Sequence, residues 1–373
     1  MENNKNKDIL VVGDGIIASL AAHILKKNNF NPSHLTASSK KKSNRTFAIT
    51  PSNFNWLKSI GLDQDLLQKA HPIKKMKLIE ACSGEAIDID AKDNYQKVLA
   101  YMVRESDLSD CVRKLNSKIN IINSKNKVIE NSVDGVKLDN APFSLALLTD
   151  QNNMKHNREN FEPKQKKYEQ TALTFNCKFS EGSNDTAYQF FFNDSILATL
   201  PQSENEISVV WSCESLFYEE LINKTKEGLQ AVFLERINYI YKPISRIINQ
   251  SSFPLSRSLS EQLFKNRLLL IGDAAHKIHP MAGQGLNLGL RDLRSFEKAL
   301  EERKSDDIGL QSFLRKYQRT RLRDVAEFSI LTDSLSNIFI NGNINLKKII
   351  SKGFAIVNKS KFIKALLIKR ATL

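Results

Sequence analysis

Apolar and polar positions fall into blocks whose period changes along the chain. Asp8-Ile9-Leu10-Val11-Val12 is a short run without alternation, the pattern of a strand covered on both faces. After Gly13-Asp14-Gly15-Ile16-Ile17-Ala18, apolar Leu20, Ala21, Ile24 and Leu25 recur at helical spacing, and a second strand is predicted near His34 to Ala37. Between about Lys164 and Pro254 the runs shorten. Tyr168 to Phe179, Thr186 to Phe192, Ile196 to Leu200 and Glu206 to Trp211 are β-prone and separated by turn residues, predicting a mostly antiparallel sheet. A helical stretch is predicted around Tyr218 to Ile240, and Asp150 to Lys167, polar and aperiodic, reads as a surface connection. Late in the chain Arg267 to Ile271 is another buried strand, after which Leu286, Leu290, Leu293 and Leu300 keep one helix face apolar.

Composition narrows the class. A chain of 373 residues with 41% hydrophobic and 26% charged residues affords a sizeable core, which excludes global disorder. No uninterrupted apolar run approaches the roughly 20 residues of a spanning helix. Met1 to Asp8 is polar and lacks a signal-peptide core, so a cytoplasmic protein is expected. Cys82, Cys111, Cys177 and Cys213 are widely spaced, with no CxxC, and fit buried reduced thiols better than zinc ligands or a disulfide frame. The formal net charge is +14, and eight of the excess basic residues lie between Ser334 and Leu373, where there is no acidic residue. Basic faces interleaved with stacking aromatics are not evident, so no nucleic-acid partner is expected.

Two glycine-bearing turns carry the candidate chemistry. In the first, Gly13 permits a tight turn after a strand, Gly15 lets backbone approach a pyrophosphate, and Ala18 lets helix pack closely on strand. The following helix offers free N–H groups and its positive end to phosphate. In the second, a strand feeds Gly272-Asp273-Ala274-Ala275-His276 and a glycine-rich loop that opens a helix. Asp273 is placed to accept hydrogen bonds from a polyol. Gly283, Gly285 and Gly289 are read as clearing space for a flat ring. His276 and His279 lack further ligands nearby, so no metal is assigned and structural roles are expected.

The stretch Gly272 to Asp292, GDAAHKIHPMAGQGLNLGLRD, resembles the flavin-contacting motif of the class A FAD-dependent aromatic hydroxylases, closest to the branch that hydroxylates ubiquinone precursors. Arg45-Thr46-Phe47-Ala48-Ile49-Thr50 resembles that branch's segment whose arginine approaches the FAD pyrophosphate, and several strands between Tyr168 and Trp211 resemble its substrate domain. The resemblance implies an α/β fold: a Rossmann-like FAD-binding domain (1–70, 98–158 and 255–330), a mostly antiparallel substrate domain (71–97 and 159–254), and a basic amphipathic helical tail (331–373). It implies that Gly13, Gly15, Ala18 and Arg45 hold the pyrophosphate side and Asp273 the ribityl chain. Pro280, Ala282, Gly283, Gln284, Gly285, Leu286 and Asn287 would line the isoalloxazine. The implied reaction is reduction of FAD by NAD(P)H, capture of O2 as a C4a-hydroperoxide, and hydroxylation of a polyprenylated phenol, with no side-chain nucleophile.

Three positions depart from the family pattern, all on the nucleotide side. No acidic residue ends the second strand, leaving Ser38 or Ser39 for the ribose; Asp150-Gln151 stands where Asp-Gly is usual, with Arg158 one residue beyond the expected spacing; and Tyr101 to Arg104 is read as lacking the acidic residue that follows it. Together they bear on NAD(P)H as direct reductant; the segment from Asp150 motivates one alternative, a flavin-binding accessory protein of a quinone-biosynthesis complex, and another flavoenzyme of the same fold, such as an isoprenoid reductase, is a second. In the tail, Leu346, Ile349, Ile350, Phe354 and Val357 fall at helical spacing among lysines. That pattern fits either packing on the body or attachment to an anionic membrane surface, here the inner face of the cytoplasmic membrane.

Overall fold

The computed structural model describes residues 7–37, 45–62, 64–124, 129–151, 161–182, 184–244, 247–278 and 285–341. The chain opens with β1 (Asp8–Val12), α1 (Ile16–Lys27), β2 (Asn31–Thr36), β3 (Thr46–Ile49), α2 (Pro51–Ser59), α3 (Gln64–Lys69), β4 (His71–Ile73), β5 (Lys75–Glu80), β6 (Ala86–Asp90), β7 (Ala100–Arg104) and α4 (Glu105–Leu115). Then come β8 (Asn120–Asn123), β9 (Ile129–Asn131), β10 (Val136–Leu138), β11 (Ala141–Phe143), β12 (Leu145–Leu148), β13 (Lys164–Glu181), β14 (Thr186–Phe191), β15 (Ser195–Ser203) and β16 (Glu206–Glu214). The last third holds α5 (Ser215–Ile222), α6 (Lys226–Arg236), β17 (Lys242–Ile244), β18 (Ile248–Leu259), β19 (Phe264–Lys265), β20 (Leu268–Leu270), β21 (His276–Lys277), α7 (Gly285–Glu301) and α8 (Gln311–Asn341).

The first sheet runs β19-β20-β12-β1-β2-β8, and every neighbouring pair is parallel except β19 with β20. Its central strands are buried on both faces, which is why β1, β12 and β20 read as unbroken apolar runs. Helices α1 and α7 pack on each other beside this sheet, burying Leu20, Ile24 and Leu25 of α1 and Leu290, Leu293 and Phe296 of α7. β2 begins three residues earlier than predicted. Pro32 lacks an N–H and reads as a break, but it sits at the strand's start, where proline is tolerated.

The second sheet runs β21-β18-β13-β16-β15-β14-β5-β6, with β17 paired to the end of β13. On one face Leu173, Phe175, Cys177 and Phe179 of β13 meet Leu221 of α5 and Leu229 and Phe233 of α6. The Phe175 and Phe233 rings pack edge to face with centroids 5.2 Å apart. The predicted helical stretch from Tyr218 is thus two helices, broken where Thr225 Oγ1 caps the second by accepting from Gly228 N–H at 3.1 Å. The polar segment before the sheet is also shorter than expected, because β13 begins at Lys164. β18 carries this sheet past residue 255 to Leu259, and α8 runs without interruption across residue 331.

A small sheet, β3-β7-β4, joins the two halves. Ala48, Ile73 and Met102 from it pack against Ala187 of β14 and Leu200 of β15, and Arg104 pairs with Glu206 of β16 at 2.9 Å. Among the described residues no helix is long and apolar enough to cross a membrane. The tail positions Leu346 to Val357 lie outside the described residues.

Candidate functional site

The carboxyl ends of three adjacent parallel strands meet at one edge of the first sheet. Val12 pairs with Leu148, and Leu148 with Leu270, so the chain leaves the sheet at neighbouring points through Gly13, Thr149 and Ile271. Such an edge is where open α/β sheets bind ligands.

The first bend is shaped by close packing on one side and open space on the other. Gly13 is buried at φ +148°, and a Cβ there would stand 2.0 Å from Thr149 Oγ1 and 3.4 Å from the Ala18 methyl. The Thr149 hydroxyl already donates to the Val12 carbonyl at 3.0 Å. Gly13 N–H donates to Leu35 O, and its carbonyl lies 2.7 Å from His34 Nε2. Gly15 is the reverse case: it is exposed, extended at φ −90°, and a Cβ on it would meet nothing within 4 Å. It stands at the N-cap of α1 with no side-chain cap and no acidic residue in the first turn. Free N–H groups behind an open glycine form an anion cradle.

The second bend is built against the first. Gly272 adopts φ +65°, and a Cβ there would lie 3.1 Å from Ile17 Cγ2 and 3.4 Å from Thr149 O. Ala274 N–H donates to Thr149 O at 3.3 Å, and Ala275 N–H donates to Gly272 O at 2.9 Å. Asp273 is open to solvent yet closely surrounded by protein, as a residue lining a cleft is. Burial holds its carboxyl above the ordinary range and nearby Asp150 adds to this, against the opposing pull of His276, Lys277 and Arg45. Behind the bend, Asp292 accepts from Gly272 N–H, His276 and Arg321. Burial works against its charge, but His276 and Arg321 bring its carboxyl below the ordinary range.

Arg45 stands close enough to Asp273 for each to influence the other's charge. Its guanidinium donates twice to Glu105, from Nε and Nη2 at 2.8 Å each, a fork-to-fork pair. Burial opposes its charge, but Glu105 and Asp273 outweigh that and raise its pKa. Glu105 also corrects the sequence reading: the position after Arg104 is acidic, and its carboxylate holds Arg45. A carboxylate from the glycine turn also stands at the end of β2. Asp14, in the glycine turn, accepts from Thr36 Oγ1 at 2.6 Å and from Ala37 N–H at 2.7 Å, and its own N–H donates to Asp150 at 3.3 Å.

The helix-opening residues divide in role. Gly285 begins α7 in open space, where a Cβ would meet nothing within 4 Å, whereas Leu286 packs partly buried against the core. Asn287 is buried, and its amide is engaged by protein: Oδ1 accepts from Thr50 N–H at 3.0 Å and Asn53 Nδ2 at 3.1 Å, and Nδ2 donates to Ala48 O. Its side chain therefore braces β3 and α2. The reading of Gly289 is corrected. A Cβ there would stand 2.8 Å from Ile17 Cδ1, so this glycine lets α7 meet α1. Ser38, Ser39, Arg158, His279, Pro280, Ala282, Gly283 and Gln284 lie outside the described residues. Of the cysteines, Cys111, Cys177 and Cys213 are buried, but Cys82 is exposed, unlike the expectation.

Residues 156–328 match the family described as "FAD binding domain". The chain is 26% identical over 356 residues to the ubiquinone biosynthesis monooxygenase COQ6 of Danio rerio, covering 80% of this chain and 73% of that one. It is 25% identical over 347 residues to the 3-demethoxyubiquinol 3-hydroxylase of Escherichia coli, covering 86% and 87%. Among solved structures it resembles p-nitrophenol 4-monooxygenase of Pseudomonas putida, with TM-score 0.77 at 16% identity over 98% of both chains. It also resembles Klebsiella pneumoniae HpxO complexed with FAD and uric acid, with TM-score 0.77 at 15% identity over 97% of both.

Proposed function

We propose, from the premise that the chain is a class A FAD-dependent aromatic monooxygenase of the ubiquinone-hydroxylase branch, that it hydroxylates the ring of a polyprenylated phenol in ubiquinone biosynthesis. The observation carrying this reading is the meeting of two glycine bends, 13–15 and 272–273, at adjacent strand ends, with an open anion cradle on one and a cleft-lining carboxylate on the other. Electron uptake and activation of O2 are the chemistry that bound FAD supplies.

The chain's own residues bind, orient and exclude water. The Gly15 turn and the α1 N-terminus receive the pyrophosphate, with Gly13 and Ala18 packing behind them. Arg45, already oriented by Glu105, adds positive charge at the same cleft. Asp273 accepts from the ribityl hydroxyls, and Gly285 leaves room at the start of α7 for the ring. The face of β13–β16 turned away from α5 and α6 forms the substrate wall. It carries Ala172, Thr174, Ala198 and Val210, small and uncharged, beside an Asn176–Gln202 amide pair at 3.1 Å. Such a wall suits a flat, uncharged phenol ring.

NAD(P)H is the proposed electron donor. Attachment of the full chain to an anionic membrane surface fits both the basic residues 334–373 and a substrate that resides in the bilayer. A complex with other quinone-biosynthesis proteins fits the same location. The test is stopped-flow reduction of the FAD-loaded protein by NAD(P)H, with and without a short-chain polyprenyl phenol, followed by product analysis. Substrate-accelerated reduction and one added hydroxyl are expected. FAD retention without substrate-dependent reduction or product would favour the accessory reading.

A further inference from the structure

Asp292 stands 20 residues after Gly272, with a side chain only 1% exposed. Three donors converge on its two oxygens. Gly272 N–H and His276 Nε2 lie 2.7 Å from Oδ2, and Arg321 Nε lies 2.7 Å from Oδ1. Arg321, 2% exposed, comes from the middle of α8 and also pairs with Asp324, which in turn holds Arg291 of α7. An ionised carboxylate is acceptor-only, so it alone among side chains of this size satisfies three donors at once.

One of these bonds holds the backbone of the bend. Gly272 sits in the left-handed region at φ +65°, with its N–H held by Asp292 and its carbonyl by Ala275. The next residue is Asp273, which projects into the cleft while the carboxylate of Asp292 lies buried behind it. With the plane before Gly272 held by Asp292 and the plane after it held by Ala275, the direction in which Asp273 leaves is set. We propose that Asp292, with His276 and Arg321, is a positioning residue for FAD: it locks the peptide entering Gly272, so that together with the Ala275 bond on the next peptide it aims Asp273, and it ties the bend to α8. The proposal rests on the reading of Asp273 as an FAD contact.

Asp292→Asn is the informative change. Its amide offers one acceptor and one donor group, so in either orientation the NH2 faces a donor: Arg321 on one side, Gly272 and His276 on the other. FAD binding, titrated by flavin fluorescence on the stripped full-length protein, is expected to weaken about tenfold or more, the scale of one charge-assisted hydrogen bond. Asp292→Asn with Arg321→Met removes the opposing donor and should bring affinity back to within about threefold of the parent, since the amide oxygen again serves Gly272 and His276. In an Asp273→Ala background Asp292→Asn should have little further effect on FAD affinity, because both act through one contact. If Asp292→Asn does not fold, His276→Leu enters the same cycle, with a smaller loss and the same non-additivity.

A lowered melting temperature with unchanged FAD affinity would overturn the proposal, as would additive effects of the Asp292 and Asp273 changes. A parent protein that takes up no FAD would overturn this proposal together with the function on which it rests. A parent that binds FAD while Asp292→Asn binds equally well would overturn the positioning role alone.

Discussion

Gly13→Ala and Gly15→Ala lie two residues apart in one turn, yet they should fail in opposite ways. At Gly15 the backbone is extended and a Cβ meets nothing within 4 Å, so alanine fits the FAD-free protein without strain. Its main effect on folding is to restrict the unfolded chain, worth about 0.4–1 kcal/mol of added stability. The same methyl occupies the approach to the α1 N-terminus. Displacing a phosphate oxygen from one or two backbone N–H groups costs about 1.5–3 kcal/mol, or roughly 10–150-fold in FAD affinity. At Gly13 the φ of +148° disfavours any side chain, and the methyl would stand 2.0 Å from Thr149 Oγ1. Backbone strain of about 1–3 kcal/mol, with about 1 kcal/mol for the disturbed Thr149–Val12 bond, should appear in the FAD-free protein itself. Urea unfolding of both stripped variants, paired with FAD titration, reads the two effects separately. Gly15→Ala with parental FAD affinity would refute the placement of the pyrophosphate, and Gly13→Ala with parental stability would refute the packing account of the turn.

Gly289→Ala should lower the urea midpoint, since its methyl would press on Ile17 Cδ1 at 2.8 Å. Ile17→Val deletes that atom, and a double-mutant cycle should show about 1–2 kcal/mol of coupling, with FAD affinity unaffected; an additive cycle would count against the contact. Asp273→Asn should raise the melting temperature of the FAD-free protein at neutral pH. Burial raises the Asp273 carboxyl in the folded state, so its ionised form opposes folding above that raised value, and the opposition fades as pH falls from there to the ordinary 3.8 and is gone below it. Parent and variant should therefore melt alike near the acid end, while FAD binds the variant more weakly. Cys82 alone should react with iodoacetamide in the native protein at pH 8. Cys111 is buried, and burial pushes the Cys177 thiol up to about 12 and Cys213 higher still; mass spectrometry showing rapid labelling at either of the last two would contradict their place in the second core.

The parts of the fold readable in sequence are those whose causes are local. β1, β12 and β20 are buried on both faces and advertise it as unbroken apolar runs, and glycine turns follow β1 and β20 within one or two residues. What a glycine is for was not readable. Gly15, Gly272 and Gly289 look alike in a motif, but one opens onto empty space, one holds a left-handed bend, and one admits a neighbouring helix. Only Ile17, more than 250 residues before Gly272 and Gly289, distinguishes the last two from ligand clearance. The bracing role of the Asn287 side chain is hidden for the same reason. Its partners Thr50 and Asn53 lie 237 and 234 residues away, and no local spacing signals them. The clearest missed clue was Glu105, which stood directly after Arg104 and pairs with a residue 60 positions earlier.

That pair bears on the readings of enzyme and accessory protein. The accessory reading rests on the segment beginning Asp150-Gln151, whereas three departures on the nucleotide side together bear on NAD(P)H as the reductant. One of them, the acid after Arg104, is present and orients Arg45. At the second, the end of β2, a carboxylate from the adjacent turn is present, since Asp14 bonds Thr36 and Ala37 there. A hydrogen-bonding group is defined by where its atoms stand, and a strand end can be served equally by its own last residue or by a turn lying beside it. Only the Asp150-Gln151 substitution is left to argue for lost catalysis, and Asp150 itself still bonds the first bend through Asp14 N–H. The Arg45–Glu105 fork beside Asp273 supports FAD binding, which both readings share, so the choice between them turns on substrate-dependent reduction of the flavin.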